Sequence, residues 1–251
     1  MKNYSLKRKL NSDQVTLGSW ITFQSDKSIE VLSNFPFDWL CIDIEHNLFN
    51  NETLLNLIRT IQYYEKAALV RIDSNDSVII KKCLDAGADG LIIPMINSAE
   101  DALKAVRSSY YPPIGNRGVG LSRAQKYGLE FENYKNWLEE NLVIIAQIEH
   151  HEGISNLEEI VKIDGIDGLI IGPYDLSASL GYPGKIERAE MKEMIDKFQR
   201  TCIKAGKAFG EHIVHPDKLK LDKTIESGAR FIAYGTDFNF MIKGLGDEFQ
   251  Y

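Results

Sequence analysis

Residues 142–176 read LVIIAQIEHHEGISNLEEIVKIDGIDGLIIGPYDL, and this stretch decides the fold. It holds two apolar runs, Leu142 to Ile148 and Gly168 to Gly172, each followed by a carboxylate, Glu149 and Asp175. Between them, Ile154, Leu157, Ile160 and Val161 fall at helical spacing, so the segment reads strand, helix, strand. A crossover helix between neighbouring strands gives a parallel pair whose carboxyl ends share one sheet edge, where Glu149 and Asp175 can converge. Side chains alternate along a strand, so Gln147 points to the same side as Glu149. Two acids and an amide are oxygen donors suited to a hard divalent cation such as Mg²⁺ or Mn²⁺. From these residues alone an equally good account is local: Glu149 caps the following helix and Asp175 opens a turn.

The same alternation runs outward in both directions. Strands are expected at 15–23, 39–44, 67–72 and 90–96, with helices at 26–35, 52–65 and 77–86 and another opening at Ser98. Residues 111–141 break the rhythm as a long segment rich in Gly, Arg and Tyr, expected to be functional or to pair with another subunit. After residues 142–176 come a helix at 189–205, a strand at 207–214, a helix at 217–227, a strand at 230–234 and a last helix at 238–249. Eight alternations without a linker predict an α/β fold, one (β/α)8 TIM barrel spanning residues 1–251. An open doubly wound sheet competes with it, but GSWITFQSD after the first strand is not a dinucleotide-binding turn.

A net charge of -7 argues against nucleic-acid and anionic-membrane partners. Cys41, Cys83 and Cys202 are far apart and suggest neither a zinc ribbon nor a disulfide framework. The basic N-terminal segment lacks an apolar core and no stretch approaches membrane-spanning length, so a cytoplasmic location is expected.

In a barrel of this kind chemistry gathers at the carboxyl ends of the strands. Those ends carry Asp43, Glu45 and His46, then Arg71 and Asp73, then Gln147 and Glu149, then Asp175. Lys66 and Lys207 precede their strands, which argues against a Schiff-base lysine, so the electrophile is expected to be a cation. His150 and His151 are adjacent and expected to point apart, while His212 is the histidine expected to face a substrate.

The runs FDWLCIDIEHN (37–47), VRID (70–73), LDAGADGLIIPMINSAEDA (84–102), YPPIGNRGVGLSRA (111–124), QIEHHEGISNLEEI (147–160) and GLIIGPYDLSASLG (168–181) resemble the HpcH/HpaI family of metal-dependent class II pyruvate aldolases. Members include 4-hydroxy-2-oxoheptanedioate and 2-dehydro-3-deoxyglucarate aldolases. The resemblance implies a barrel whose last helix is exchanged between subunits, in a homo-oligomer that is commonly a hexamer, a trimer of dimers. It implies Glu149 and Asp175 as ligands of Mg²⁺, Mn²⁺ or Co²⁺, and His46 as catalytic base. It further implies Arg71 as stabiliser of the enolate, Asp85 as the carboxylate that raises the basicity of the histidine, and Asp43 as a second support for it. Gln147 and the segment Gly172, Pro173, Tyr174 and Asp175 are implied to meet the substrate, a small 2-oxo acid that reacts with an aldehyde.

Three positions depart from the family pattern: Asn47 replaces a usual glycine, His150 a usual threonine, and Tyr174 a usually small residue. Bulk at Asn47 and Tyr174 is expected to narrow or reshape the site. The aldehyde pocket is expected around His212, Val214 and Thr236 and the Arg117 to Arg123 loop, from the same or a neighbouring subunit. Two other functions use the same residues: a carboxylate synthase, thioester lyase or oxaloacetate decarboxylase, and a barrel that binds a 2-oxo acid without turnover.

Overall fold

The computed structural model describes residues 5–249, so residues 1–4 and 250–251 of the expected 1–251 domain lie outside the described residues. Eight parallel strands close into a barrel in sequence order: β1 (Thr16–Ile21), β2 (Trp39–Asp43), β3 (Ala67–Arg71), β4 (Gly90–Ile93), β5 (Val143–Ile148), β6 (Gly168–Ile171), β7 (Ala208–Ile213) and β8 (Phe231–Thr236). The helices are α1 (Leu6–Leu10), α2 (Asp26–Ser33), α3 (Asn51–Tyr63), α4 (Ser77–Asp85), α5 (Ala99–Ser109), α6 (Phe131–Asn141), α7 (His151–Ser155), α8 (Leu157–Ile160), α9 (Pro173–Ser179), α10 (Ala189–Ala205), α11 (Lys218–Glu226) and α12 (Asp237–Phe249). The expected (β/α)8 architecture is therefore the one observed.

Period-two alternation divides the apolar strand residues between two cores. Outward residues such as Ile42, Val70, Ile93, Ile144 and Ile171 pack under the helices. Inward residues such as Trp39, Leu69, Ile145, Ile170 and Phe231 fill the lumen. Gly18 makes this possible, because a Cβ there would lie 2.0 Å from the Trp39 indole, which stacks on Phe231 at 4.4 Å. The amino end is closed by α1, whose Leu6 and Leu10 join the lumen core one helical turn apart.

Helix starts follow from capping chemistry. Asn50, Asp76, Ser98 and Asp217 each accept a backbone N–H in the first turn of the helix that follows. Residues 111–141 are more ordered than their composition suggests. They contain a 3-10 turn at Arg123–Gly128 and then α6, which buries Tyr134 and Leu138. The helix expected across 152–163 is two short ones, α7 and α8, broken at Asn156.

A repeated brace ties the amino ends together. Asp38, Asp89 and Asp167 each stand one residue before an even-numbered strand. Each accepts the backbone N–H of the second residue of the strand before it, Leu17 at 2.9 Å, Ala68 at 2.9 Å and Ile144 at 2.8 Å. Each also donates its own N–H back to that residue's carbonyl, at 2.7, 2.8 and 2.9 Å. At the fourth pair Arg230 keeps only the backbone half, donating to Phe209 O at 2.8 Å. Lys7 of α1 completes the third brace through Asp167 at 3.2 Å and Leu142 O at 3.1 Å. Asp167→Ala is expected to destabilise the protein by roughly 3 kcal/mol, because it strands a mostly buried ammonium and a buried amide. Thermal unfolding should show a midpoint lower by on the order of 10 °C; an unchanged midpoint would mean the brace carries no load.

Candidate active site

The alternation that fills the lumen also chooses what stands at its carboxyl rim. Two residues beyond inward Cys41, Leu69 and Ile145 come Asp43, Arg71 and Gln147, and two further along β7 from Gly210 comes His212. Trp20 floors this ring, 2% exposed, with the Arg71 guanidinium 4.4 Å from its ring centroid and the His212 ring 5.5 Å away, edge to face. The cation over the indole face holds Arg71 upright by charge–quadrupole attraction.

Asp43 ends β2 as a buried hub. Its Oδ1 accepts Arg71 Nε at 2.8 Å and the backbone N–H groups of Glu45 at 3.2 Å and His46 at 3.4 Å. Its Oδ2 accepts Asn47 Nδ2 at 2.7 Å. The turn so formed carries Glu45 into the site, where its Oε2 lies 3.3 Å from Arg71 Nε, 3.5 Å from Gln147 Nε2 and 3.8 Å from His46 Nε2. Glu45 is thus a centre of contacts to three expected site residues. The sequence places it just past the carboxyl end of the second strand; the turn closed on Asp43 then aims it inward.

Glu149, 2% exposed, accepts Gln147 Nε2 at 2.5 Å and the backbone N–H of Met95 at 2.8 Å. It therefore faces the site rather than capping the following helix, whose N-cap is His150. Gly172 lets β6 come this close, since a Cβ there would stand 2.9 Å from Glu149 Cβ. Asp175 sits in the first turn of α9, exposed, and near enough that its charge is felt by both Glu149 and Glu45. Burial, Glu45 and Asp175 push the Glu149 carboxyl up to about 7 against the Met95 and Gln147 donors. Glu45 is likewise pushed up to about 7, by burial first, then by Asp43 and Asp175, with Arg71 opposing. Burial pushes His212 down to about 3, so its ring is neutral, and its Nε2 meets Gly235 O at 3.2 Å.

The structure brings together Asp43, His46, Arg71, Gln147, Glu149 and, through α9, Asp175; Tyr174 lies beside Asp175 in the first turn of α9, half exposed. It does not bring Asp85 to His46. Helix α4 runs from the carboxyl end of β3 back to the amino end of β4, and Asp85 is its last residue. There its carboxylate pairs with the fully buried Arg117 at 2.5 Å. Arg117 in turn donates to Tyr134 Oη, and Arg123 donates to Ala86 O and Gln62. The Arg117 to Arg123 loop is therefore fastened at the amino end of its own barrel, away from the rim. Thr236 is buried and accepts Asn239 N–H at α12. His150 and His151 do not point apart: His150 is still extended but His151 opens α7, and their rings lie 4.2 Å apart, tilted by 34°. With Glu152 they bring ligand atoms within 4.8 Å of one another on the surface beside the site.

Fold and rim together define a (β/α)8 protein with a cluster of acidic, arginine and histidine side chains at the carboxyl end of its barrel. Residues 16–244 match the family model described as HpcH/HpaI aldolase/citrate lyase, and the chain belongs to that family. The 4-hydroxy-2-oxo-heptane-1,7-dioate aldolase of Salmonella heidelberg (strain SL476) is 38% identical over 246 residues, 97% of this chain and 92% of that one. A crystal structure of a family member from Burkholderia cenocepacia J2315 matches with a TM-score of 0.92 at 30% identity, covering 98% of this chain and 97% of the other. The citrate synthase SbnG matches with a TM-score of 0.87 at 27% identity, over 98% and 96% of the two chains.

Proposed function

We propose that this chain is a divalent-metal-dependent aldolase that cleaves or forms a 4-hydroxy-2-oxo acid from pyruvate and an aldehyde. The observation that carries the reading is Glu149: a buried carboxylate held near neutrality beside Glu45 and Asp175, where burial leaves negative charge short of compensation. A cation restores that balance, and two carboxylates with an amide nearby match the oxygen preference of Mg²⁺, Mn²⁺ or Co²⁺. Glu149 and Asp175 would hold it. When bound, the cation supplies Lewis acidity that polarises the ketone of a 2-oxo acid.

The remaining chemistry belongs to the side chains. His46, 59% exposed at the rim, would take a proton from C3 as general base. Arg71, with Nε held by Asp43, would offer its terminal N–H groups to the oxygen on which charge develops. Carbon C3 then attacks the aldehyde carbon, and the new hydroxyl takes up a proton; cleavage is the reverse. Gln147 and the Gly172–Asp175 segment would orient the oxo acid. A role for Asp85 at His46 needs a second copy of the chain, since within one copy the two lie at opposite ends of the barrel.

The test is C3 proton exchange of pyruvate in D₂O, followed by NMR on chelator-treated protein with and without added Mg²⁺ or Mn²⁺. Metal-dependent exchange supports the reading, and exchange in metal-stripped protein would sink it. The likeness to a citrate synthase favours a second reading, condensation or decarboxylation on another oxo acid, which product analysis with oxaloacetate separates.

The raised carboxyls set a pH dependence. An acid whose folded pKa lies above its unfolded value is penalised when ionised. The penalty is absent below about 4.5, accrues as pH rises through about 7, and is full above it. Metal-free protein therefore loses stability from Glu45 and Glu149 across that window, and a bound cation relieves the loss. Affinity for Mn²⁺ is expected to fall roughly tenfold per pH unit below about 7 and to level off above it. Calorimetry over pH 5.5 to 8 checks this, and a flat profile would remove Glu149 from the ligand set.

The last helix supports a homo-oligomer. Asp237 anchors it by accepting the N–H groups of Thr22 and Phe23, yet Met241, Ile242, Leu245 and Phe249 stay more than half exposed along it. Exchange of α12 between subunits, in a hexamer, would cover that apolar surface, and light scattering measures the assembly.

Among the described residues no helix is long and apolar enough to cross a membrane.

A further inference from the structure

Asn47 stands where the family pattern has glycine, and its side chain turns back onto Asp43 instead of into the pocket. The 2.7 Å bond from Nδ2 reaches the oxygen of Asp43 that Arg71 leaves free. Asp43 is 3% exposed, so each of its carboxylate oxygens needs a donor from the protein. Three donors converge on Oδ1: Arg71 Nε and the N–H groups of Glu45 and His46. Those two amides belong to the very turn that displays Glu45 and His46. Asn47 follows directly in the chain, and its amide closes the turn from the other side.

We infer that Asn47 is a positioning residue of the reaction proposed above: by holding Asp43 Oδ2 it fixes the 43–47 turn, and with it the place of His46 over the site. The inference rests on that functional reading, but the mechanical part of it does not. His46 has few other restraints. Its side chain is mostly exposed and its nearest charged neighbour, Glu45, is carried by the same turn. Without the amide, Asp43 keeps Arg71 and loses the donor that sets its carboxylate plane, so the turn gains freedom where the base is mounted. A displaced base slows proton transfer steeply while leaving substrate and cation binding in place.

Three variants test this. Asn47→Ala removes the donor; Asn47→Asp keeps the shape and replaces the donor by an acceptor facing Asp43; Asn47→Ser keeps a donor of shorter reach. In C3 exchange of pyruvate, Asn47→Ala is expected to lower kcat about tenfold, Asn47→Asp to lower it further, and Asn47→Ser to recover part of the loss. KM for pyruvate and the Kd for Mn²⁺ should stay within about twofold of the unaltered protein. Independently of activity, hydrogen exchange read by mass spectrometry should show the Glu45 and His46 amides exchanging about tenfold faster in Asn47→Ala. Normal kcat in Asn47→Ala would overturn the inference, because that variant lacks the donor and adds no charge. A loss that falls on KM would overturn it too, making Asn47 a substrate contact. If the unaltered protein exchanges no pyruvate proton, the functional reading fails. The amide protection of residues 45–46 then decides by itself whether Asn47 holds the turn, and unchanged protection would refute it.

Discussion

Glu149→Gln protein is expected to fold, to take up no measurable Mn²⁺, and to lose C3 exchange by on the order of a thousandfold. The amide is isosteric and retains an acceptor for Met95 N–H, while the neighbouring Gln147 can turn its own amide to suit. What disappears is the negative charge. At pH 8 that charge is a burden to the metal-free protein, because the carboxyl is held near 7 by burial and by Glu45 and Asp175. Metal-free Glu149→Gln protein should therefore melt no lower than metal-free unaltered protein at pH 8, and should gain nothing from added Mn²⁺. Calorimetry for binding and thermal melts for stability check both halves. Retained Mn²⁺ affinity would place the cation elsewhere, with the surface group His150, His151 and Glu152 the next set of donors to probe.

His46→Ala should separate base from ligand. Exchange is expected to fall by roughly 10²–10⁴-fold, the usual worth of a positioned general base. Mn²⁺ affinity should stay within about twofold, since His46 touches neither Glu149 nor Asp175. Stability should change by less than about 0.5 kcal/mol, because the ring is 59% exposed and packs on little. Exchange that survives the substitution would move the proton to another group. Glu45 is then the candidate, being the carboxyl nearest to His46, Arg71 and Gln147 together.

Much of the fold was legible because it rests on two periods. Apolar runs of barrel length and helical spacings between them gave the strand order, and period two along β2, β3 and β5 put Asp43, Arg71, Gln147 and Glu149 on one rim. What escaped had a physical reason. Helix α1 has five residues and two leucines, too short to show a period, and it exists because the open lumen accepts Leu6 and Leu10. Helix α6 does carry helical spacing in Phe131, Tyr134 and Leu138, but the Gly- and Arg-rich run before it hides its start. His150 and His151 were misjudged by carrying strand alternation two and three residues past the end of β5, across the start of α7. Asp85 marks a different limit. Its place at the amino end follows from helix direction in a barrel, whereas its pairing with Arg117, far along the chain, follows from packing alone. The role of Asn47 was hidden for a similar reason: the sequence shows added bulk, and only the structure shows where that bulk turns.

The aspartate braces at the amino ends separate two kinds of work. Asp38, Asp89 and Asp167 join the strands in successive pairs at one end, while the residues proposed to react stand at the other. The joinery and the workbench share no side chain. A change of substrate can therefore be sought by rewriting the rim, at Tyr174 or His212, without reopening the joints that close the cylinder. For an engineer this barrel is a mount with an exchangeable head, and libraries confined to the carboxyl-end turns should keep a high fraction of folded members even where they lose the original chemistry.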